Sequence, residues 1–266
     1  NFTVPDRVSN SFHLDFSDGA DLGNDSSGTN NDWTPNNLVG QVGTGDLGMD
    51  VITYTGTGSS NAITGLKFSP GLLWFKHRNG TSYHELYDTT RSATYRLFSN
   101  TTDGQEVNSS LTSFDSNGFT LTYNGGQNVN NNTYVAWAWK AGGAAVSNTD
   151  GTITSSVSAN QTHGFSIATF TSPSSGNFTF GTGLNAVPKV VIVKTTGATS
   201  DWSVYHASVT DTTSKYLVLN SNAALATYST IWGAALPTST VVGLTSGGAV
   251  ATSQTCVAYC WSEVAG

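Results

Sequence analysis

The sequence predicts an all-β protein with two tandem homologous β-sandwich domains, jelly-roll-like in character, behind an extended N-terminal arm. Short runs of aromatic and β-branched residues are separated by turn signals such as Asn-Gly at 79–80 and Asp-Gly at 103–104. This pattern is typical of strands joined by tight loops. No stretch has the apolar spacing of an amphipathic helix. The same blocks of sequence also occur twice, in the same order.

An internal duplication relates the two halves of the chain. The matched positions are Lys76 with Lys194, Tyr87 with Tyr205, Asn100 with Asn220, and 134–139 with 256–261. Their separation grows from 118 to 122 residues, as expected when short insertions fall in the loops between retained strands. The two lysines close equivalent apolar strands, and we expect each amine to reach water past its apolar stem.

The duplication divides the chain into four segments. We predict an arm at 1–47, a first repeat at 48–142, a connecting segment at 143–162 and a second repeat at 163–266. Within each repeat, short strands follow one another at a spacing of about 8–12 residues, which is typical of a sandwich or jelly roll.

The last strand of each repeat has two apolar faces. Large side chains alternate with small ones, so they occupy opposite faces of the strand. The large residues are Val135, Trp137 and Trp139 in the first repeat, and Val257, Tyr259 and Trp261 in the second. We expect this face to fill the core of each sandwich, with Trp139 and Trp261 at equivalent positions. The small face, with Ala136 and Ala138 or Cys256, Ala258 and Cys260, should admit a neighbouring element.

The N-terminal arm is too polar to form a core of its own. It nevertheless carries Phe12, Leu14, Phe16 and Trp33, and burying such a side chain contributes about 1.5–3 kcal/mol. Trp33 is the expected structural anchor. We expect the arm to lie on the first repeat, to complete a domain that is not part of this chain, or to cross to a neighbour in a homo-oligomer, with a trimer as the favoured state.

Composition and charge exclude several classes of partner. Only 10% of the residues are charged, and the net charge is −7. Nucleic-acid binding requires a basic face that replaces phosphate counterions, and the ten Lys and Arg residues form no such cluster. No run approaches the roughly 18 apolar residues of a membrane span, so we expect no membrane insertion.

The cysteines and the acidic residues of the arm suggest no cofactor. Cys256 and Cys260 lie about 13 Å apart if they share a strand, which exceeds the Cα separation of about 7 Å that a disulfide allows. An acidic cluster in the arm contains Asp15, Asp18, Asp21, Asn24 and Asp25. Calcium is one interpretation, but the spacing fits no defined loop, and Asx residues favour turns for backbone reasons. We therefore expect a solvated turn.

No arrangement of residues indicates catalysis. A glycosidase needs two carboxyl groups that flank the scissile bond, and the chain has three glutamates in all. Glu85 and Asp88 are the candidate pair by proximity, but the second repeat has Ser203 and His206 in their places. No nucleophile elbow or P-loop is present. We expect a protein that is not an enzyme.

Four aromatic residues are candidates for ligand binding. Tyr83, Tyr87, Trp202 and Tyr205 could stack on sugar rings of a host-surface glycan, since an aromatic face suits a pyranose. The alternative is that they are ordinary core aromatics.

Several segments resemble repeats in tail-fibre and virion-surface proteins of marine bacteriophages. They are Leu-Leu-Trp-Phe-Lys at 72–76, Glu-Leu-Tyr-Asp-Thr-Thr-Arg at 85–91, and the blocks at 111–121, 134–143, 23–28 and 31–37. The resemblance implies a location on the virion surface, among other virion proteins, but supplies no catalytic or binding residues. The first functional hypothesis is a tail-fibre or appendage component in host attachment. A capsid decoration or cement protein is the alternative, and a polysaccharide-degrading enzyme is the least favoured.

Overall fold

The computed structural model describes residues 47–122, 126–210 and 212–264, and within them it contains nineteen strands and no helix. The predicted all-β class is therefore confirmed. The strands of the first repeat are β1 (Met49–Thr55), β2 (Asn61–Thr64), β3 (Leu72–His77), β4 (Glu85–Asp88), β5 (Ser92–Phe98), β6 (Glu106–Val107), β7 (Leu111–Asp115), β8 (Gly118–Leu121) and β9 (Thr133–Trp139). Those that follow are β10 (Val146–Asn148), β11 (Ser155–Asn160), β12 (Phe165–Thr171), β13 (Asn177–Gly181), β14 (Pro188–Thr195), β15 (Ser203–His206), β16 (Lys215–Val218), β17 (Ala226–Thr227), β18 (Val241–Thr245) and β19 (Thr255–Ser262). None of the described residues forms a helix that could span a membrane.

Two large antiparallel sheets dominate the unit formed by Leu47–Gly266. The first sheet has the order β1-β9-β3-β4-β5-β6, and the second has β10-β11-β12-β19-β14-β15-β16-β17. Two smaller sheets, β2-β8-β7 and β13-β18, accompany them. The predictions for the arm, including Trp33 and the acidic cluster, lie outside the described residues.

The strand order of the first sheet recurs within the second. The order β1-β9-β3-β4-β5-β6 corresponds to β12-β19-β14-β15-β16-β17. The register agrees as well, because Met49 pairs with Trp139 as Phe165 pairs with Trp261. The second sheet is longer because the connecting segment contributes β10 and β11. The division into two separate sandwich domains stays a prediction.

Matched asparagines hold the same turn in both repeats. Asn100 Oδ1 accepts a hydrogen bond from the backbone N–H of His84 at 2.9 Å. Asn220 Oδ1 accepts one from the backbone N–H of Trp202, also at 2.9 Å. In both repeats the asparagine follows β5 or its counterpart β16, and it fixes the residue that precedes the neighbouring strand. The sequence match therefore reflects a shared backbone constraint.

Matched lysines also have one structural role. Lys76 Nζ donates to Ser82 O at 2.9 Å, and Lys194 Nζ donates to Ser200 O at 2.7 Å. The expectation that each amine reaches water is wrong for Lys194, whose side chain is fully buried. Its amine also donates to Thr102 O at 3.0 Å, and these carbonyls replace water as hydrogen-bond partners. Burial lowers the pKa of Lys194 from 10.5 to about 8.

The buried apolar side chains form three clusters. One lies within the first repeat and includes Phe75, Tyr87 and Phe119. A second lies within the second repeat and includes Phe180 and Trp232. A third, here called the inter-sheet cluster, joins the two large sheets: Leu72, Leu86, Leu97, Ala141, Phe165, Ile167, Ile192, Trp202, Val204, Val257 and Tyr259 are buried in it.

The two faces of each last strand, β9 and β19, point in the opposite directions to those predicted from the sequence. The small residues face the clusters within each repeat: Ala136 and Ala138 in the first, and Cys256, Ala258 and Cys260 in the second. The large residues Val257, Tyr259, Trp261 and Trp139 belong to the inter-sheet cluster. Trp139 and Trp261 occupy equivalent positions, and their ring centroids are 6.0 Å apart. Small side chains suit the repeat interiors because aromatics such as Phe75 already fill that space. Trp137 is half-buried.

The two cysteines are free and buried, as predicted. Burial raises the pKa of Cys256 to about 11 and that of Cys260 to about 12. Both thiols therefore stay protonated at neutral pH and act as small apolar core residues.

A buried ion pair of the first repeat accepts a hydrogen bond from the second repeat. Arg91 Nε donates to Asp88 Oδ2 at 2.7 Å, and the hydroxyl of Tyr259 donates to the same oxygen at 2.8 Å. Burial alone would raise the pKa of Asp88, but the Arg91 charge and the hydrogen bonds from Thr90 and Tyr259 hold this pKa below its usual value. The pair stabilises the fold at neutral pH, and this contribution is lost as the pH falls below the normal titration range of an aspartate.

Replacing Tyr259 with Phe tests this connection. Tyr259→Phe removes a donor from a fully buried carboxylate, so we expect the free energy of unfolding in urea to fall by about 1–3 kcal/mol. The control is Tyr205→Phe, whose buried ring belongs to the cluster of the second repeat. An equal loss in both variants would show that the Tyr259 hydroxyl contributes no specific stabilisation.

Candidate functional site

A polar groove of about 780 Å³ opens beside the first large sheet. We call it the Arg96 groove, and it is lined by Thr81, Ser82, Tyr83, Glu85, Arg96, Phe98, Glu106, Asn108 and Gly126. Strand pairing explains how its main side chains come together. Glu85 pairs with Phe98, and Arg96 pairs with Glu106. Directly paired residues share a face of the sheet, as do Arg96 and Phe98 two positions apart on β5.

Arg96 lies at the centre of the groove. Its Nη1 is 3.3 Å from Glu85 Oε2, and its Nη2 is 3.0 Å from Glu106 Oε2. Its guanidinium also lies over the ring of Phe98, 4.7 Å from the centroid. The two carboxylates and the ring fix the plane of the guanidinium, which prepares its remaining N–H groups for directional hydrogen bonding.

Glu85 forms the buried base of the groove. Glu85 is 4% exposed. Its carboxylate accepts a hydrogen bond from Gln127 Nε2 and another from the hydroxyl of Tyr87, which is 3.2 Å away. Burial raises the pKa of Glu85, and this effect outweighs Arg96 and Tyr87, which lower it. A Cβ on Gly126 would lie 2.7 Å from Glu85 Oε1. A larger residue at position 126 would therefore require this carboxylate to shift.

Tyr83 forms the exposed rim of the groove. It is 56% exposed, and its ring centroid is 4.9 Å from that of Phe98. Phe98 itself is buried. The contact supports one part of the Tyr83 ring and leaves the rest open to solvent, so this ring is available for stacking.

The four aromatic residues proposed for ligand binding do not form one site. Tyr83 lies at the groove, and the hydroxyl of Tyr87 reaches its base, but the Tyr87 ring is buried. Trp202 is fully buried in the inter-sheet cluster and donates from Nε1 to Phe98 O at 2.9 Å. Tyr205 packs against Trp232 in the second repeat. The prediction therefore needs correction for Tyr87, Trp202 and Tyr205, whose rings have no face open to a sugar.

The two carboxylates that the sequence suggested as a pair, Glu85 and Asp88, do not lie together. Glu85 and Asp88 lie three residues apart on β4, and their side chains point to opposite faces of the sheet. Asp88 pairs with Arg91 and accepts a hydrogen bond from Tyr259 of the second repeat, whereas Glu85 and Glu106 meet at Arg96. Sequence reasoning missed Arg96. The Asp-Gly turn signal at 103–104 could have indicated a chain reversal between β5 and β6, which places Arg96 beside Glu106.

No group of three or more His, Cys, Asp or Glu side chains that could hold a metal ion occurs within the part of the chain that the structure describes. The Arg96 groove instead combines fixed donors and acceptors with one exposed ring. It can recognise a polar ligand with a flat apolar face.

Glu85→Gln should change how stability depends on pH. Because the pKa of Glu85 is raised in the folded protein, the folded state holds a proton that the unfolded state releases. Stability should therefore fall as the pH rises from about 4.5 through the raised pKa. Urea unfolding between pH 4 and pH 8 should show this decrease in the wild type and a flatter profile in Glu85→Gln. Glu263→Gln, at an exposed position, is the control; identical profiles for all three proteins would contradict the raised pKa.

One protein-family model covers both repeats. It matches residues 48–266 and is described as a Domain of unknown function (DUF7483). No curated protein and no solved structure matches the chain. The matched range contains the two large sheets, the inter-sheet cluster and the Arg96 groove. The chain therefore belongs to the DUF7483 family, a family of domains of unknown function.

Proposed function

We propose that this protein is a bacteriophage virion-surface protein, a tail-fibre or appendage component that contributes to host attachment by binding surface glycans in the Arg96 groove. The observation that carries the proposal is the exposed ring of Tyr83 beside the fixed polar groups of Arg96, Glu106 and Asn108. A sugar ring offers an apolar face for stacking and hydroxyls for hydrogen bonding, so both parts of the groove have a matching partner.

The polar groups of the groove suit vicinal hydroxyls. Arg96 presents planar donors, while Glu106 and Asn108 present acceptors near the rim. The Glu106 side chain is 47% exposed, so a ligand can reach its carboxylate. Glu85 holds Arg96 from below and is itself held by Tyr87 and Gln127. Such fixed groups lose little conformational entropy when a ligand binds.

The arrangement favours binding over hydrolysis. Glycosidases place two carboxyl groups on either side of the scissile bond. In the Arg96 groove both carboxylates are ion-paired with the same guanidinium, an arrangement that positions Arg96 as a hydrogen-bond donor. We therefore propose a non-enzymatic role.

The location on a virion rests on the resemblance of the repeats to bacteriophage fibre and surface modules. We further propose that each repeat is a jelly-roll-like sandwich domain, fixed to the other by the inter-sheet cluster and by the hydrogen bond from Tyr259 to the Asp88–Arg91 pair. A rigid double module suits an extracellular particle. Locating the chain in a virion density map would separate an appendage, with few copies at the tail, from a cement protein spread over the shell.

Tyr83→Ala tests the glycan site. We expect at least about a tenfold loss of affinity for host cell-surface polysaccharide, equivalent to about 1.4 kcal/mol, because the stacking surface is removed. Binding can be measured by interferometry on immobilised polysaccharide. Tyr228→Ala is the matched control, since Tyr228 is 43% exposed and lies in the second repeat.

The outcomes separate the candidate functions. No binding by the wild type, or equal binding by both variants, would contradict a glycan site at the groove. Release of reducing ends from the polysaccharide by the wild type, lost in Glu85→Gln, would instead identify a polysaccharide-degrading enzyme.

A further inference from the structure

A second cleft, of about 520 Å³, is formed by residues of both repeats. We call it the Arg91 cleft. One wall comes from the first repeat, with Thr90, Arg91, Tyr95 and Gln105. The other wall comes from the connecting segment and the second repeat, with Ser147, Thr154, Ser155, Ser156, Thr169, Phe170, Thr171, Thr196, Thr255 and Cys256. The volume lies within the range of about 300–1,000 Å³ that is typical of ligand pockets.

The second wall carries hydroxyl side chains in adjacent positions of the second large sheet. Ser147 pairs with Ser156, and Ser156 pairs with Thr169. Thr171 pairs with Thr255. Directly paired residues share a face of the sheet, as do Thr169 and Thr171, which are two positions apart on β12. Each hydroxyl can donate and accept a hydrogen bond, so this wall suits a ligand that does both.

The cleft continues the space between the two large sheets and is separate from the Arg96 groove. Ile167 precedes Thr169 by two positions, and Leu97 follows Tyr95 by two positions; both apolar residues are buried in the inter-sheet cluster. The walls of the cleft therefore belong to the same two faces as that cluster. Tyr95 and its neighbour Arg96 lie on opposite faces of β5, so the two openings do not share a wall.

Two buried polar atoms of the lining side chains have no partner among the described residues. They are Arg91 Nη1 and Gln105 Oε1. The other nitrogens of Arg91 are engaged, because Nε donates to Asp88 Oδ2 and Nη2 lies 3.3 Å from the hydroxyl of Tyr259. Arg91 is only 9% exposed. Buried polar atoms without partners are unfavourable and rare in native proteins, so these two atoms indicate that a polar group binds at the inner end of the cleft.

The two atoms also indicate the chemistry of that group. Arg91 Nη1 can only donate a hydrogen bond, and Gln105 Oε1 can only accept one. Hydroxyl groups supply both roles. The charge of Arg91 is already balanced by Asp88, which is fully buried beside it. A ligand carboxylate would therefore add a buried negative charge without a partner, which is unfavourable. The cleft thus favours a neutral ligand that is rich in hydroxyl groups.

We propose that the Arg91 cleft binds a neutral sugar residue, whose hydroxyls accept from Arg91 Nη1, donate to Gln105 Oε1 and bond to the serine and threonine side chains of the opposite wall. The half-buried ring of Tyr95 offers an apolar contact for the sugar ring. Both walls are required, so the site exists only where the two repeats pack together. The proposal does not depend on the Arg96 groove, and either site can fail its test without the other.

Nuclear magnetic resonance titration of the full, ¹⁵N-labelled chain tests the site. The probes are glucose, galactose and mannose, each added separately. We expect at least one of them to cause saturable shifts in the side-chain amide of Gln105 and in the backbone amides of Thr169 and Thr171. The uronate of that sugar, in which a carboxylate replaces the primary alcohol, should bind at least about tenfold more weakly.

Gln105→Leu separates a binding role from a structural one. The Gln105 side chain makes no hydrogen bond within the described part of the chain, and its Oε1 is unpaired. The variant should therefore keep or raise the midpoint of urea unfolding, while its affinity for the sugar should fall at least about tenfold. Gln161→Leu is the matched control, because Gln161 is exposed and lies outside the cleft. It should retain the wild-type affinity.

A second variant blocks the cleft without changing Arg91 or Gln105. Ser156 is exposed on β11 within the cleft wall, and Ser156→Tyr should fill the space and abolish sugar binding, with circular dichroism confirming the fold. The proposal would be overturned if none of the three sugars caused saturable shifts, or if the shifts were confined to the Arg96 groove. Tighter binding of the uronate, or wild-type affinity in either cleft variant, would also overturn it.

Discussion

The packing of the two large sheets through the inter-sheet cluster is the interaction on which the rest of the structure depends. Each large sheet has apolar side chains on both faces, and the smaller sheet of its repeat covers only one of them. The second face needs another apolar surface, because leaving so many large side chains in water would cost more than a domain of this size can offset. The other repeat supplies that surface. Trp139 and Trp261, which occupy equivalent positions, meet within it.

The inter-sheet cluster also explains where the duplicated sequence diverged. Positions that hold each repeat together are shared: Asn100 matches Asn220, and Lys76 matches Lys194 in residue type and in hydrogen-bond role. Positions that build the contact differ. Trp202 is buried between the sheets, whereas its counterpart His84 lies beside Trp74 at a partly open surface.

Polar groups are also buried within this apolar contact. Asp88, Arg91 and Tyr259 are buried where the repeats meet, and each hydrogen-bonds to the other two. Asp88 and Arg91 pair within the first repeat, so another alignment of the two sheets would deprive the buried carboxylate of its hydrogen bond from Tyr259. The opposite face of β4 carries Glu85 into the Arg96 groove. A single short strand therefore contributes to both the rigid joint and the candidate binding site.

The sequence by itself determined the strand content, the free cysteines and the equivalence of the two last strands, because alternation, turn residues and repeat spacing are local properties of the chain. It also proposed Tyr83 as a ligand-binding residue; the structure shows this side chain exposed at the groove, and its role in binding stays a prediction. Only the tertiary structure decided which apolar face of β9 and β19 points inward, since both faces are apolar and the choice depends on what packs against each. It likewise decided that Glu85 meets Glu106 at Arg96 while Asp88 turns towards the other repeat. Strand pairing and sheet packing join residues that are distant in the sequence, and no local pattern records which distant residues will meet.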